Sequence, residues 1–218
     1  MRQTTMLLTA ALGLAASANA GVVVINEVLG STPGDDTEFI ELRNRSHAPV
    51  DISGWQVELW DSDAGGSFGG ADGASPYVIP AGTILAPRAH YLMANAVFAT
   101  RYGFSGDQSI PNNGIENSSY TIILADSALN LMDAFFVTDG GAGDAANRAG
   151  TLLTGVPQVG PDGTFLPGGF YRSGPRAVTF LEFAEKPASA TPGGPNLPAP
   201  GTLALLGLGG LIAARRRR

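Results

Sequence analysis

The sequence predicts an all-β chain folded as an antiparallel β-sandwich. Three observations lead there. Short segments rich in Val, Ile, Leu and aromatic residues recur along the chain, and Gly, Pro, Asn or Asp separates nearly all of them. Helical periodicity is almost absent. The 30 Gly and 15 Pro of the 218 residues supply turn punctuation throughout, where a parallel α/β sheet would need long helices between its strands.

Taken in order, Gly21 to Leu29 (GVVVINEVL) is nearly continuous and β-branched, as suits a strand buried on much of both faces. A turn at Ser31 to Asp36 follows. Thr37 to Asn44 (TEFIELRN) alternates, with Glu38, Ile40 and Leu42 on one face and Phe39, Glu41 and Arg43 on the other, which predicts a half-exposed strand. Val50 to Trp55 and Gln56 to Trp60 continue the series, with Trp55 expected to plug the core. Further short strands are predicted at Tyr77 to Ile79, Thr83 to Leu85, His90 to Ala94, Tyr120 to Ala125, Leu129 to Val137 and Val178 to Phe183. Ala96 to Tyr102 is the one helical turn. Gly140 to Ala177 holds ten Gly and four Pro, too many for strand interiors, and is assigned mainly to a long surface excursion.

Composition limits the chemistry. The length fits one domain with appendages and is enough to bury a core. With no Cys there is no disulfide scaffold, thiolate zinc site, iron–sulfur cluster or Cys nucleophile, and His47 and His90 alone cannot form a multi-histidine metal centre. All nineteen acidic residues lie between 21 and 197 against eight basic ones, a net charge of −11 for that part. Nucleic acid phosphates repel such a body, so nucleic acid is not an expected partner.

The two ends lie outside the predicted fold. Residues 1–20 carry Arg2, an apolar run from Met6 to Ala16 and the small-residue pattern Ala18-Asn19-Ala20, the order of parts in a secretory signal peptide cleaved after Ala20. At the other end Pro195, Pro198 and Pro200 precede an almost charge-free run, Thr202 to Ala214, and then Arg215, Arg216, Arg217 and Arg218. Thirteen residues of helix reach about 20 Å against a hydrocarbon core of about 30 Å, so the run is an undersized membrane anchor. The arginine cluster should stay cytoplasmic, which places residues 21–200 outside and agrees with the leader. This tail resembles the PEP-CTERM sorting signal of Gram-negative envelope proteins, with Ala199 between Pro198 and Pro200 where that pattern usually has glutamate. The resemblance implies an exosortase-type processing peptidase as partner and a destination at the cell surface or in the extracellular matrix. A plain tail anchor is the alternative.

Between the ends, Ile25-Asn26-Glu27-Val28, Glu38 to Asn44 and Val50-Asp51-Ile52-Ser53-Gly54-Trp55 together resemble the opening half of the lamin tail domain family. Ala190 to Asn196 (ATPGGPN) resembles that family's closing turn, with Arg172 or Arg176 as its upstream arginine. The resemblance covers residues 22–196, with insertions at about 61–76 and 140–177. It implies an immunoglobulin-like β-sandwich acting as an interaction or anchoring module without catalysis of its own, and domains at 1–20, 21–196 and 197–218.

Read physically, Glu27, Glu38 and Glu41 sit in or beside strands, where carboxylates accept backbone N–H groups of adjoining loops and fix strand register. Gly54 should permit a tight bend before Trp55, and the Asn44 side chain should close a turn. Asp61, Asp63, Gly65-Gly66 and Asp72 echo a calcium loop, although position five is a glycine and position twelve the shorter Asp72; a polar Gly-rich hairpin loop is the alternative. Asp139 to Asp144 echoes a glycine-rich calcium repeat but occurs once. His90 is expected in a sheet and His47 in a turn, neither within a triad pattern. Asn44-Arg45-Ser46 and Asn117-Ser118-Ser119 match the glycosylation sequon but are explained as exposed turns.

Two further functional readings stay open beside the noncatalytic module, which would bind exopolysaccharide or other surface proteins. One is a metal-dependent hydrolase acting on phosphoesters, for which no second domain fits in the chain. The other is a calcium-dependent adhesion module. No other cofactor is expected.

Overall fold

The computed structural model describes residues 21–30, 36–161, 167–174, 178–181 and 190–196. The predicted leader (1–20), most of the Ser31 to Asp36 turn and the tail from 197 onward, including Pro198, Ala199, Pro200 and Arg215 to Arg218, lie outside the described residues. Among those described, no helix is long and apolar enough to cross a membrane.

Fifteen strands and one helix follow one another along the described chain. They are β1 (Val23–Leu29), β2 (Phe39–Asn44), β3 (Val50–Asp51), β4 (Gln56–Asp61), β5 (Tyr77–Val78), β6 (Ile84–Leu85), β7 (His90–Ala94), α1 (Ala96–Tyr102) and β8 (Gln108–Ser109). Then come β9 (Tyr120–Ala125), β10 (Leu131–Val137), β11 (Asn147–Arg148), β12 (Thr151–Leu152), β13 (Gln158–Val159), β14 (Gly169–Arg172) and β15 (Val178–Leu181). Six strands form one sheet in the order β15-β14-β1-β2-β7-β8, and five form the other in the order β13-β10-β9-β4-β5. The pairs β11-β12 and β3-β6 stand apart as small ladders. Among the described residues only β7-β8 and β10-β13 pair in parallel. The predicted sandwich is therefore the fold observed.

The two sheets share one core because each strand's alternation turns an apolar set inward. Val23, Ile25, Val28, Ile40, Leu42, Met93 and Phe170 come from the first sheet, and Val57, Leu59, Tyr120, Ile122, Leu124, Phe135 and Val137 from the second. In β1 the alternation is broken on purpose. Ile25 pairs with Leu42 and Glu27 with Glu41, so Asn26 is the extra residue of a bulge and Ile25 and Val28 both face the core.

Both outer faces are covered as well. On the first sheet Leu29, Phe39, Leu92, Ala94 and Tyr171 gather round Phe98 of α1, whose ring meets Phe39 edge-on at 5.5 Å. Asn95 caps this helix by accepting from the Phe98 N–H, and Gly103 closes it in the left-handed conformation. On the second sheet Ile123, Ala125 and Ala134 are overlaid by Trp60, Leu131, Leu153 and Val156. The cover contributed by residues 147–156 includes Arg148, which grips the buried Glu58 with Nε at 2.8 Å and Nη2 at 2.5 Å.

Four expectations are corrected by this arrangement. The strand at β2 is not half exposed: five of its six residues are buried, because α1 covers the outward face that alternation leaves to solvent. Trp55 does not plug the core. It is only partly buried at the margin, since Tyr120, Phe135 and Phe170 fill the centre. The stretch Gly140 to Ala177 is exposed or half-buried over most of 140–161, as a surface excursion would be, but it is not one throughout, because it contributes β14, buried along its whole length between β1 and β15, as well as β13. A Cβ at Gly169 would collide with the Val28 carbonyl, so glycine permits the close pairing of β14 with β1 instead of breaking the strand. The Asn44 sequon does not lie in an exposed turn, since Asn44 is fully buried. Val50 to Trp55 also divides: β3 pairs with β6, and Gly54, at φ +71°, turns the chain into β4.

Phe170 and Phe135 sit across the core with ring centroids 4.7 Å apart. Replacing Phe170 by Ala should lower unfolding stability by about 3–5 kcal/mol, read from urea denaturation midpoints, because the ring is fully buried in the shared core.

Candidate functional site

The polar interior is built around carboxylates that the strands carry and the loops need. Glu27 and Glu41 are direct cross-strand partners of β1 and β2, both fully buried on the outer side of the first sheet. Onto them docks the segment 190–196. The Thr191 N–H donates to Glu27 Oε1 at 2.9 Å and its hydroxyl to Oε2 at 3.2 Å, while the Gly193 N–H donates to Glu41 Oε2 at 2.5 Å. Asn26, displayed by the β1 bulge, donates through Nδ2 to Glu41 Oε1 at 2.5 Å and to Asn196 Oδ1 at 3.1 Å. Asn196 in turn donates to the Arg172 carbonyl at 2.7 Å.

A second carboxylate cluster repeats the device. Glu38 Oε2 accepts from the Gly114 N–H at 2.9 Å and Oε1 from Ile115 at 3.1 Å, fixing a loop 76 residues away along the chain. Asn95 Oδ1 accepts from the Glu38 N–H as well as from Phe98, and its Nδ2 donates to the Asp36 carbonyl. The expected role of Glu27, Glu38 and Glu41, holding adjoining loops through backbone N–H bonds, is thus the role observed. So is that of Asn44, whose Nδ2 donates to Ala48 and Leu85 carbonyls while Oδ1 accepts from Ser46.

Of the two candidate upstream arginines, Arg172 is placed at the heart of the fold and Arg176 lies outside the described residues. Arg172 donates through Nε to the Ile25 carbonyl at 2.9 Å and through Nη2 to Asp133 Oδ2 at 2.5 Å, and its guanidinium lies 4.8 Å over the Phe135 ring. Asp133 Oδ2 also accepts from the Ile25 N–H. One ion pair therefore ties β14 and β10 to the middle of β1.

The family resemblance can now be tested. The family model of the lamin tail domain matches residues 16–139, more than half of the chain. The chain belongs to the lamin tail domain family. A search of curated proteins returns no match. The matched part of this lamin tail domain holds β1 to β10 and stops at Asp139, so β14, β15 and the docked segment 190–196 lie beyond it. The β14 strand is held by its ladder with β1, β15 by its ladder with β14, and 190–196 by Glu27, Glu41, Asn26 and the Arg172 carbonyl.

The calcium-loop residues fall within one region, and each carboxylate accepts from loop N–H groups through at least one oxygen. Asp61 accepts from the Asp63 and Ser67 N–H groups at 2.9 and 2.6 Å, Asp63 from Gly65 at 2.7 Å and Asp72 from Glu116 at 2.7 Å. These are the contacts of a polar hairpin loop that organises itself through its side chains. Among the described residues, no three His, Asp or Glu groups are gathered to hold a metal ion. Asp139 and Asp144 accept from Gly141 and Ala64 N–H groups and both reach the Ser119 hydroxyl. His90 lies in β7 beside Glu41, Nε2 to Oε1 at 3.8 Å, and His47 meets Arg88 in an exposed turn.

Several residues of this interior carry no signal in the sequence. Asn147 donates to the Asp61 carbonyl and the Ser62 hydroxyl, and its N–H donates to Thr121, yet it stands in the Gly-rich stretch without a pattern around it. Asn95, Asp133 and the Glu58–Arg148 pair are equally silent, and Asn26 is marked only as a member of the opening family motif, with no sign of its bonds. Only the break in alternation at Glu27 hints at the bulge.

Burial pushes the carboxyls of Glu27, Glu38 and Glu41 up from 4.5 to about 7, against the lowering effect of the N–H groups each accepts. Asp72 is likewise pushed up to about 7 by burial and by Glu116. Each of these groups keeps its proton in the folded chain over a range where the unfolded chain has lost it. The stability they contribute is complete below the unfolded value and is lost as pH rises through about 7. Glu116 and Asp133, also raised by burial, act in the same sense, and His90, lowered by burial, in the opposite one below its ordinary 6.5. The thermal midpoint should therefore fall between pH 5 and pH 8. The double variant Glu27→Gln, Glu41→Gln, which keeps acceptors for Thr191 and Gly193, should flatten that slope in calorimetric scans and exceed the parent chain's midpoint at pH 8.

Proposed function

We propose that this lamin tail domain is a noncatalytic binding or structural module exported to the cell surface or extracellular matrix. The observation that carries the reading is the employment of its buried carboxylates. Glu27, Glu38 and Glu41, the groups whose burial would suit acid–base chemistry, have both oxygens engaged: Glu38 by two loop N–H groups, Glu27 by the N–H and hydroxyl of Thr191, and Glu41 by the Gly193 N–H and Asn26. No nucleophile is assigned beside them. The family match supports a module of immunoglobulin-like form.

Export and sorting rest on the two ends of the sequence: the leader at 1–20, and the tail with Pro198, Ala199, Pro200, the apolar run 202–214 and Arg215 to Arg218. In this reading the tail seats briefly in the inner membrane of a Gram-negative cell and an exosortase-type peptidase releases the body. Exopolysaccharide or other surface proteins are its partners, nucleic acid is not, and no cofactor is needed.

Fractionating cells that produce the full chain, or a chain ending at residue 196, tests the sorting part. The full chain should reach the surface or matrix, and the shortened one should not. Arrival of both at the same place overturns the role of the tail. A screen of the purified full chain against phosphodiesters with divalent metals should show no turnover, and robust turnover overturns the noncatalytic reading.

A further inference from the structure

Near the end of the first sheet at which β1 begins, a cleft of about 190 Å3 is lined by Asn26, Arg43, Arg45, Arg172, Ser173 and Gly174. Three adjacent strands bring these groups together: β14 carries Arg172, the β1 bulge carries Asn26 and β2 carries Arg43. Arg45 follows β2, its backbone fixed by an N–H bond to the Val22 carbonyl at 2.7 Å.

The three guanidiniums are not equivalent. Asp133 answers the charge of Arg172. Among the described residues, Arg43 Nε and Arg45 Nη1 are buried and have no hydrogen-bond partner. Among the described residues neither of these two side chains makes an ion pair. Glu41 is the carboxylate whose field reaches Arg43, but its oxygens are taken by Asn26 and Gly193. Both side chains are only partly buried and line the cleft, so an oxyanion entering it meets two guanidiniums whose charge no ion pair among the described residues answers.

The kind of anion follows from geometry and charge. Guanidinium forks match planar carboxylates with two parallel bonds. The cleft is smaller than the several-hundred-Å3 pockets that hold drug-sized molecules, and its lining is polar, with an amide, a hydroxyl and a glycine backbone beside the arginines. The body's net negative charge repels a polyanion more strongly than a singly charged ligand.

We propose that this cleft binds the carboxylate of a small polar acid, about one uronic acid ring in size, between Arg43 and Arg45. The proposal gives the module a ligand class and rests on the noncatalytic reading above.

Calorimetric titration of the full chain at low salt, with glucuronate, acetate and glucose as probes, tests it. Glucuronate should bind at one site, acetate about tenfold more weakly and glucose not at all. Arg43→Gln and Arg45→Gln should each weaken glucuronate about tenfold, while Arg88→Gln, at an exposed arginine beside His47, should leave it unchanged. Arg45→Lys keeps the charge but drops the fork, so it should also weaken binding and reads the site if a Gln variant does not fold. Absence of glucuronate binding, equal binding of acetate, or binding indifferent to Arg43 and Arg45 overturns the proposal and leaves the module reading intact. Chemical conversion of the glucuronate during titration would instead overturn the noncatalytic reading itself.

Discussion

A carboxylate buried in a sheet has lost its water and must find donors, and in this protein the donors are the backbone N–H groups of distant loops. Glu27 and Glu41 hold residues 191 and 193, Glu38 holds 114 and 115, Asp72 holds 116, and Asp133 holds both Ile25 and Arg172. The requirement runs both ways. Loops lying against a sheet face have backbone groups that neither helix nor ladder satisfies, and the strand carboxylates are the acceptors within reach. Removing such a carboxylate would release a loop, and removing the loop would strand a charge.

That mutual dependence explains how a chain with so little helix covers four sheet faces. Two faces meet in the core. The outer face of the first sheet is sealed by α1 through Phe98 and by residues 190–196 through the Glu27–Glu41 pair. The outer face of the second is sealed by the segment around Arg148, which Glu58 and Asn147 fix in place. Like charges directly opposite each other on neighbouring strands repel, so Glu27 and Glu41 are tolerable where they stand because their pKa values rise and loop donors reach them.

Most of the sandwich was legible because alternation and β-branched runs report sheet faces directly, as at β1, β2, β4, β9 and β10. The family motifs exposed the roles of Glu27, Glu38, Glu41 and Asn44 for the same reason: polar residues inside apolar strands must be bonded. Illegible features depend on what arrives from far along the chain. Gly169 reads as a loop residue until the Val28 carbonyl is seen against it. Trp55 reads as core until the larger set of aromatic residues is seen to fill that volume. Arg43 and Arg45 read as ordinary strand-end charges, since no local pattern shows that Arg172 and a bulged Asn26 will share their cleft.

Charge counting alone also misjudges the electrostatics. The formal −11 of residues 21–197 takes every carboxyl as ionised, yet burial pushes Glu27, Glu38, Glu41 and Asp72 up to about 7, so near neutral pH they carry less charge than the count assigns them. Glu58 and Asp133 spend theirs on Arg148 and Arg172. The negative field is consequently weaker over the first sheet than the composition implies, and Glu41, the carboxylate nearest Arg43, is among the groups that are part-protonated. An anion approaching Arg43 and Arg45 meets two guanidiniums whose neighbours have already been neutralised or bonded elsewhere. A local positive site on an acidic protein is thereby a consequence of the same burial that fixes its loops.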